Sequence, residues 1–357
     1  MSLPLPLLEL TRGRLVESTH YGHIAVVDSD GRLLASYGDP QTVAFLRSSA
    51  KPFQVLPFVE HAGVEHYGFS SEELALACAS HEGSALHLRT VQSMQAKAGL
   101  EESLLQCGSH LPSDPENFRR FVSSGQRPGP NYNNCSGKHT AMLAHAKMRG
   151  LPLESYLSLD HPIQREILAT FAAMCGMEPE AVELGVDGCS APNFAVPLAN
   201  AALAMARLLD PGGLPELRLA ACRKVTSAMT SHPGMISAPG EFDCELMAAC
   251  GGLVVTKRGA EGFQIVGVAP GVISPQSPGL GIAFKVTDGD ASRLSMDLRS
   301  SARVRPAVAL EILRQLGVLT GSQGLALAAF GPGKQLTNHR GLVTGASRPV
   351  FTLERHG

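Results

Sequence analysis

The chain has 357 residues, a net charge of −2 and no tryptophan, and 44% of its residues are hydrophobic against 17% charged. That balance predicts a large buried core and excludes an extended or disordered chain. With no long basic run, nothing marks a nucleic-acid footprint or a polybasic membrane patch, so neither partner is expected.

A length of this order fits two domains or one large α/β domain, and the low charged fraction is compatible with an oligomer. Residues 1–10 are apolar but lack a leading basic region and carry prolines at positions 4 and 6. They make a poor signal peptide, and no apolar stretch is long enough to span a bilayer, so a cytoplasmic protein is expected. Eight cysteines spread through such a chain do not form a small secreted disulfide framework and are expected to be thiols. Cys78 and Cys175 sit in helical apolar patterns as small core residues. Cys135 and Cys189 each stand in a polar, glycine-containing loop.

In chain order, residues 7–11, 14–18, 23–27 and 32–36 read as strands, with Asp28-Ser29-Asp30-Gly31 as a hairpin turn between the last two. A helix start is predicted near Pro52, which is tolerated in a first turn. Helices are then predicted from Ser71 through Cys78, His87 to Lys97, Gln164 to Cys175, Ala195 to Leu208 and Leu217 to Met229. Strands return at residues 252–257, 263–268 and 281–286, before a last helix from about Ala307 to Leu316. Residues after about Gly333 read as a loose tail. Strands at both ends with helices between them predict an α/β (α+β) fold: one catalytic domain over 1–357, with 7–50 and 250–330 forming the sheet region and 51–249 mainly the helical region. The active cleft is expected at their junction, where Lys257 can face Ser48.

An ordered set of polar elements carries the chemistry. Ser48-Ser49-Ala50-Lys51 is followed by Ser80-His81-Glu82 and, far downstream, by Lys257-Arg258-Gly259. Serine enzymes that recognise penicillin carry S-x-x-K, a second serine element and a lysine-glycine element in that order. A serine hydroxyl needs a base, and a lysine serves once burial or a neighbouring cation favours its neutral form. Residues three apart on a helical turn share a face, so Ser48 and Lys51 can point together. Alone, S-x-x-K is a weak signal, since a serine here also serves as a helix cap.

Other motifs fail. Residues 133–140 contain Gly137-Lys138, but position 132 is tyrosine and His139 follows the lysine, so no phosphate loop forms. Gly188-Cys189-Ser190-Ala191-Pro192 has proline where a nucleophile elbow needs glycine. His81-Glu82 lacks the second histidine of a zinc-protease helix. Thiolates with a nitrogen ligand suit zinc, yet single distant cysteines are more often structural.

Taken together, the blocks Arg47–Pro52, Cys78–His81, Asn133–Thr140, residues 160–167, Val186–Pro192, Lys257 with Gly259–Gly262 and residues 279–283 resemble the type II L-asparaginases of the inducible, thermolabile rhizobial kind. The resemblance runs through roughly residues 7–330. It implies hydrolysis of the side-chain amide of L-asparagine on a serine β-lactamase/glutaminase-like fold, as a homodimer. Carried over by motif, Ser48 is the nucleophile with Lys51 as its base, Ser80 and Lys257 form a second serine-lysine pair, and Cys135, Lys138 and Cys189 surround a zinc ion. Arg47 and Asp187 are candidates for the substrate's α-carboxylate and α-amino groups, with a plain salt bridge as the alternative. His81, Lys138 and His139 are further candidate substrate contacts. Arg258 fills a position where the penicillin-recognising enzymes have a small hydroxyl residue. Rival functions are a glutaminase, a penicillin-directed hydrolase, and a non-catalytic zinc-stabilised amino-acid-binding protein.

Overall fold

The structure, a computed structural model, describes residues 3–290 and 304–356, so the part of the expected 250–330 sheet region in 291–303 lies outside the described residues. The chain divides into two compact units, one of residues 1–46, 196–210 and 245–357, the other of residues 47–195 and 211–244.

The first unit holds an antiparallel sheet built from both ends of the chain. Its strands run in the order Gln335–Thr337, Val343–Pro349, Leu5–Arg12, Leu15–Asp28, Leu280–Val286, Phe263–Val268 and Val254–Arg258. Leu33–Tyr37 pairs with the second half of Leu15–Asp28 and with Glu354–Arg355. The predicted turn is present, with Gly31 N donating to Asp28 O at 3.1 Å and Gly31 in the left-handed region.

Three expectations change here. Residues 14–18 and 23–27 belong to one strand, Leu15–Asp28. Gly22, between the two expected strands, is where the strand passes close to a neighbour: an added Cβ would stand 2.1 Å from Lys285 O. The helix expected from Ala195 starts later, after the strand Pro192–Pro197, at Leu198–Leu209. Pro197 forces the residue before it into extended backbone, which delays the helix. The supposed tail after Gly333 contains the strand Val343–Pro349, paired with Leu5–Arg12.

Gly267 and Gly281 face each other across neighbouring strands, and the Leu198–Leu209 helix lies against them. A Cβ on Gly281 would meet Ala202 O at 1.7 Å, and one on Gly267 would meet Leu209 at 2.4 Å. Paired glycines and a helix face of Ala201, Ala202 and Ala206 therefore let helix and sheet approach closely, which fixes where that helix can sit.

The second unit is mainly helical. At its centre is Ser136–Met148, whose residues 136–146 are all buried although they include Lys138, His139, Thr140 and His145. Gly137 allows this, because its missing Cβ would lie 2.4 Å from Leu76 O on the neighbouring Ser71–Ala77 helix. That helix starts at a capping box in which Ser70 Oγ accepts from Glu73 N and Glu73 Oε2 accepts from Ser70 N at 2.6 Å. Phe53, Phe171 and Phe194 pack in a row, with ring centroids 5.9 and 4.7 Å apart. All eight cysteines are buried free thiols. No helix among the described residues is long and apolar enough to cross a membrane.

Candidate active site

Ser48 lies on the one-turn 3-10 helix Arg47–Ala50 that leads into Lys51–Gln54, with Pro52 in its first turn. Arg47 holds φ at 53°, a left-handed conformation that costs a side-chain-bearing residue energy and that Asn193 secures by accepting the Arg47 N–H at 3.1 Å. The strain sets the direction in which the chain enters the Ser48 turn.

Lys51 is buried. Its Nζ donates to the Ala79 carbonyl, to Ser80 Oγ at 3.0 Å and to the Asn134 carbonyl at 3.2 Å. Three acceptors saturate an ammonium group, and Ser48 is not one of them. Ser80 is held by its own N–H, which donates to Ile236 O at 2.9 Å.

His81 is also buried, and both ring nitrogens are engaged within the protein. Nδ1 accepts from Gly83 N at 3.1 Å, which leaves the proton on Nε2 to be donated to Ser136 Oγ at 2.8 Å, and Ser136 Oγ passes its own proton to Asn131 O at 3.0 Å. Burial, reinforced by His87 and Lys51, keeps this imidazole neutral by lowering its pKa well below the usual value. His81 thus ties the Ser80 loop to the start of the central helix.

Cys135 stands at the N-cap of that helix, where the dipole favours a negative charge. Lys138, one turn on, points its Nζ at Cys189 Sγ at 3.1 Å, and Cys135 Sγ lies 3.2 Å from the Asn134 side-chain amide. Cys135 is pushed well below the ordinary thiol range, first by the hydrogen bond from Cys189 and then, against its burial, by Lys51 and Lys138, while Cys189 is pushed up by the same bond. The same hydrogen bond thus acts on the two sulfurs in opposite directions. Burial alone would neutralise Lys138, but Cys189, Cys135 and Asp187 outweigh it and raise its pKa. Two sulfurs and an amine come together; zinc would take the sulfurs as thiolates and the amine only once it gave up its proton.

Asp187 Oδ1 accepts from Arg47 Nε at 2.7 Å and from Gly188 N at 2.8 Å. Its burial would raise the carboxyl, but Lys138 and Arg47 hold it below the usual range. Arg47 and Asp187 therefore form a partly exposed ion pair beside the sulfur cluster.

His139 is buried on the next position of the helix. Tyr156 OH accepts from Gln106 N at 3.0 Å and so donates to His139 Nδ1, 2.6 Å away. Burial, against the pull of Cys189, brings this imidazole down to about 4. Sequence reasoning missed Tyr156, Asn131, Asn134 and Ser136 as supports, although Asn134 and Ser136 lie inside a block it singled out. Lys257 belongs to the sheet unit, where it is wholly buried on Val254–Arg258 and its Nζ donates to Arg258 O at 3.2 Å.

The neutral histidines have a consequence for stability. His139 and His145 are both lowered from 6.5 to about 4 in the folded protein, first by burial. Between those values the unfolded chain binds protons that the folded chain refuses. Their contribution is therefore complete above pH 6.5 and shrinks by about 1.4 kcal/mol per pH unit for each histidine as pH falls toward 4. The urea midpoint is expected to drop steeply between pH 6.5 and 4.5 and more shallowly in His139→Gln. Equal slopes for the two proteins would remove His139 from this account.

The helical unit thus holds a buried serine-lysine contact, an Arg-Asp pair and a sulfur-amine cluster. The protein is an amidohydrolase. It belongs to the L-asparaginase II family, whose profile matches residues 8–349. No curated protein sequence matches the chain. Among solved structures, a probable glutaminase from Bacillus subtilis complexed with 6-diazo-5-oxo-L-norleucine is similar at 12% identity and a TM-score of 0.40, over 83% of this chain and 84% of its own. A further structure of the Bacillus subtilis probable glutaminase gives 12% identity and 0.39 over 83% and 88%. Mglu in its native form gives 20% identity and 0.34 over 84% and 65%. Likenesses this distant carry no argument about site or substrate.

Proposed function

We propose that the protein hydrolyses the side-chain amide of L-asparagine to L-aspartate and ammonia through an acyl-enzyme on Ser48. Membership of the L-asparaginase II family over nearly the whole chain supports the substrate. The Lys51 Nζ to Ser80 Oγ hydrogen bond at 3.0 Å supports serine-lysine chemistry here, and the role of Ser48 rests on its place in the S-x-x-K motif. Ser48 Oγ attacks the amide carbon and its proton passes to Lys51, which must first shed a proton and turn from its three acceptors; ammonia leaves with that proton, and water then attacks the ester to release aspartate. Ser80 relays protons.

Arg47 and Asp187 suit the substrate's backbone groups. When a zwitterion enters, their single ion pair can open into two, Arg47 taking the α-carboxylate and Asp187 the α-ammonium. His139, Lys138 and His81 shape the neighbouring wall. Cys135, Lys138 and Cys189 would hold zinc, which when bound supplies a charge that ties the Asn133–Thr140 and Val186–Pro192 segments together and polarises a nearby oxygen. A homodimer in the cytoplasm completes the proposal, and light scattering measures the dimer.

Side-by-side release of ammonia from L-asparagine and L-glutamine, with hydrolysis of a β-lactam as the third arm, tests the substrate. Asparagine is expected to dominate; equal or greater glutamine turnover would make the protein a glutaminase, and no turnover would leave a binding protein. For zinc, elemental analysis of protein expressed with ample metal is expected to find close to one equivalent that depends on Cys135 and Cys189. Chelation is expected to weaken substrate binding or stability more than turnover. Less than about a tenth of an equivalent would return both cysteines to a structural role.

A Ser80 nucleophile is a second reading, favoured by the direct Lys51–Ser80 contact.

A further inference from the structure

His61, His145 and Glu166 come from three different helices of the helical unit. His61 is the C-cap of Leu56–Glu60, His145 lies in the last turn of Ser136–Met148, and Glu166 lies in the second turn of Pro162–Cys175. One donor atom from each falls within 4.8 Å of the other two. His61 Nε2 is 2.5 Å from Glu166 Oε1, and His145 Nε2 is 3.8 Å from Glu166 Oε2.

The geometry points to a divalent-cation site of the zinc class, formed by His61, His145 and Glu166 and separate from the cysteine cluster. Two imidazoles and one carboxylate form a donor set that such borderline cations favour and that calcium and magnesium do not.

A second observation leads the same way. The His145 side chain is only 2% exposed, yet its Nε2 has no hydrogen-bond partner among the described residues. An unsatisfied buried nitrogen turned toward a carboxylate is what a cation between them would resolve.

The remaining neighbours fit a metal site. Arg149 donates to Glu166 Oε2 and anchors the carboxylate from behind, as outer partners of ligating carboxylates do, while Oε1 meets His61 Nε2, the contact an ion would replace. His61 is exposed and Glu166 is half-buried, so an ion can enter and waters can fill the remaining positions. Bonds of about 2.0–2.2 Å require the donors to close to roughly 3.5 Å. The free ends of His61 and Glu166 can supply that movement. His145 lies seven residues beyond Lys138 on the same helix, roughly 10 Å along its axis, so one ion cannot serve both clusters.

The test uses the full chain with Cys135→Ala and Cys189→Ala, stripped of metal and dialysed against zinc. One equivalent is expected to bind, and addition of His61→Ala is expected to weaken it at least about tenfold. In the chain with native cysteines, cobalt titration separates the sites, because only a thiolate site gives sulfur-to-cobalt charge-transfer absorption. There, His61→Ala is expected to remove one equivalent of cobalt and leave any charge-transfer absorption intact, a measurement that stands even where the cysteine variant fails to fold. Less than about a tenth of an equivalent in the folded cysteine variant, or cobalt uptake unchanged by His61→Ala, overturns the site and leaves a His61–Glu166 salt bridge only.

Discussion

Ser48→Ala is expected to lose on the order of a thousandfold or more in kcat for L-asparagine while melting within a few degrees of the parent. The half-buried Ser48 side chain makes no hydrogen bond among the described residues, so its removal leaves no buried group unsatisfied and costs little stability. The same measurement on Ser80→Ala separates the two serines. Ser80 accepts from Lys51, and as a relay its loss slows both acylation and deacylation without abolishing the covalent intermediate. Rapid-quench mass spectrometry is expected to find the aspartyl adduct on Ser48 in the Ser80→Ala protein. Near-normal turnover by folded Ser48→Ala, with the adduct on Ser80, would transfer the nucleophile to Ser80.

Lys51→Arg is expected to be as inactive as Lys51→Met, with both roughly a thousandfold or more below the parent. Arginine keeps the charge but cannot be deprotonated in a protein, so it can donate to Ser80 and to the Ala79 and Asn134 carbonyls without ever accepting a proton. An electrostatic role for Lys51 would be partly rescued by arginine; a base is not. Substantial rescue by Lys51→Arg would count against the base. Both variants need a check of folding by circular dichroism, because Lys51 satisfies two backbone carbonyls in the interior.

Much of the helical unit was legible because its signals are local. Ser71, Glu72 and Glu73 announce a helix start, the helices 162–175 and 216–231 carry their apolar spacing in sequence, and Ser48 and Lys51 stand three residues apart. What stayed hidden depends on pairing across distance. Gly22 lies between two expected strands when it is a close-approach position within one, and Val343–Pro349 reads as a tail because a half-exposed strand with a glycine at its centre has little apolar alternation. Arg47 and Asp187 were picked as complementary charges, and the structure brings them together as an ion pair. The Lys51–Ser80 contact was missed because the motifs pair each serine with a different lysine. His61, His145 and Glu166 gave no signal at all, since each is a lone polar residue on its own helix and only packing gathers them.

The pairing of Leu8 with Pro349 and of Leu10 with Ser347 also bears on how the molecule is made. One flank of the strand 5–12 stays without its partner until residues near position 349 have left the ribosome, long after the helical segments with their nearby contacts can form. Contacts this far apart are late and slow to close. During synthesis the newborn N-terminal strand therefore presents an open ladder of amides and carbonyls to its surroundings. A stop codon introduced anywhere before residue 343 would make that temporary exposure permanent, turning a short C-terminal deletion far from the serines into an aggregation-prone product.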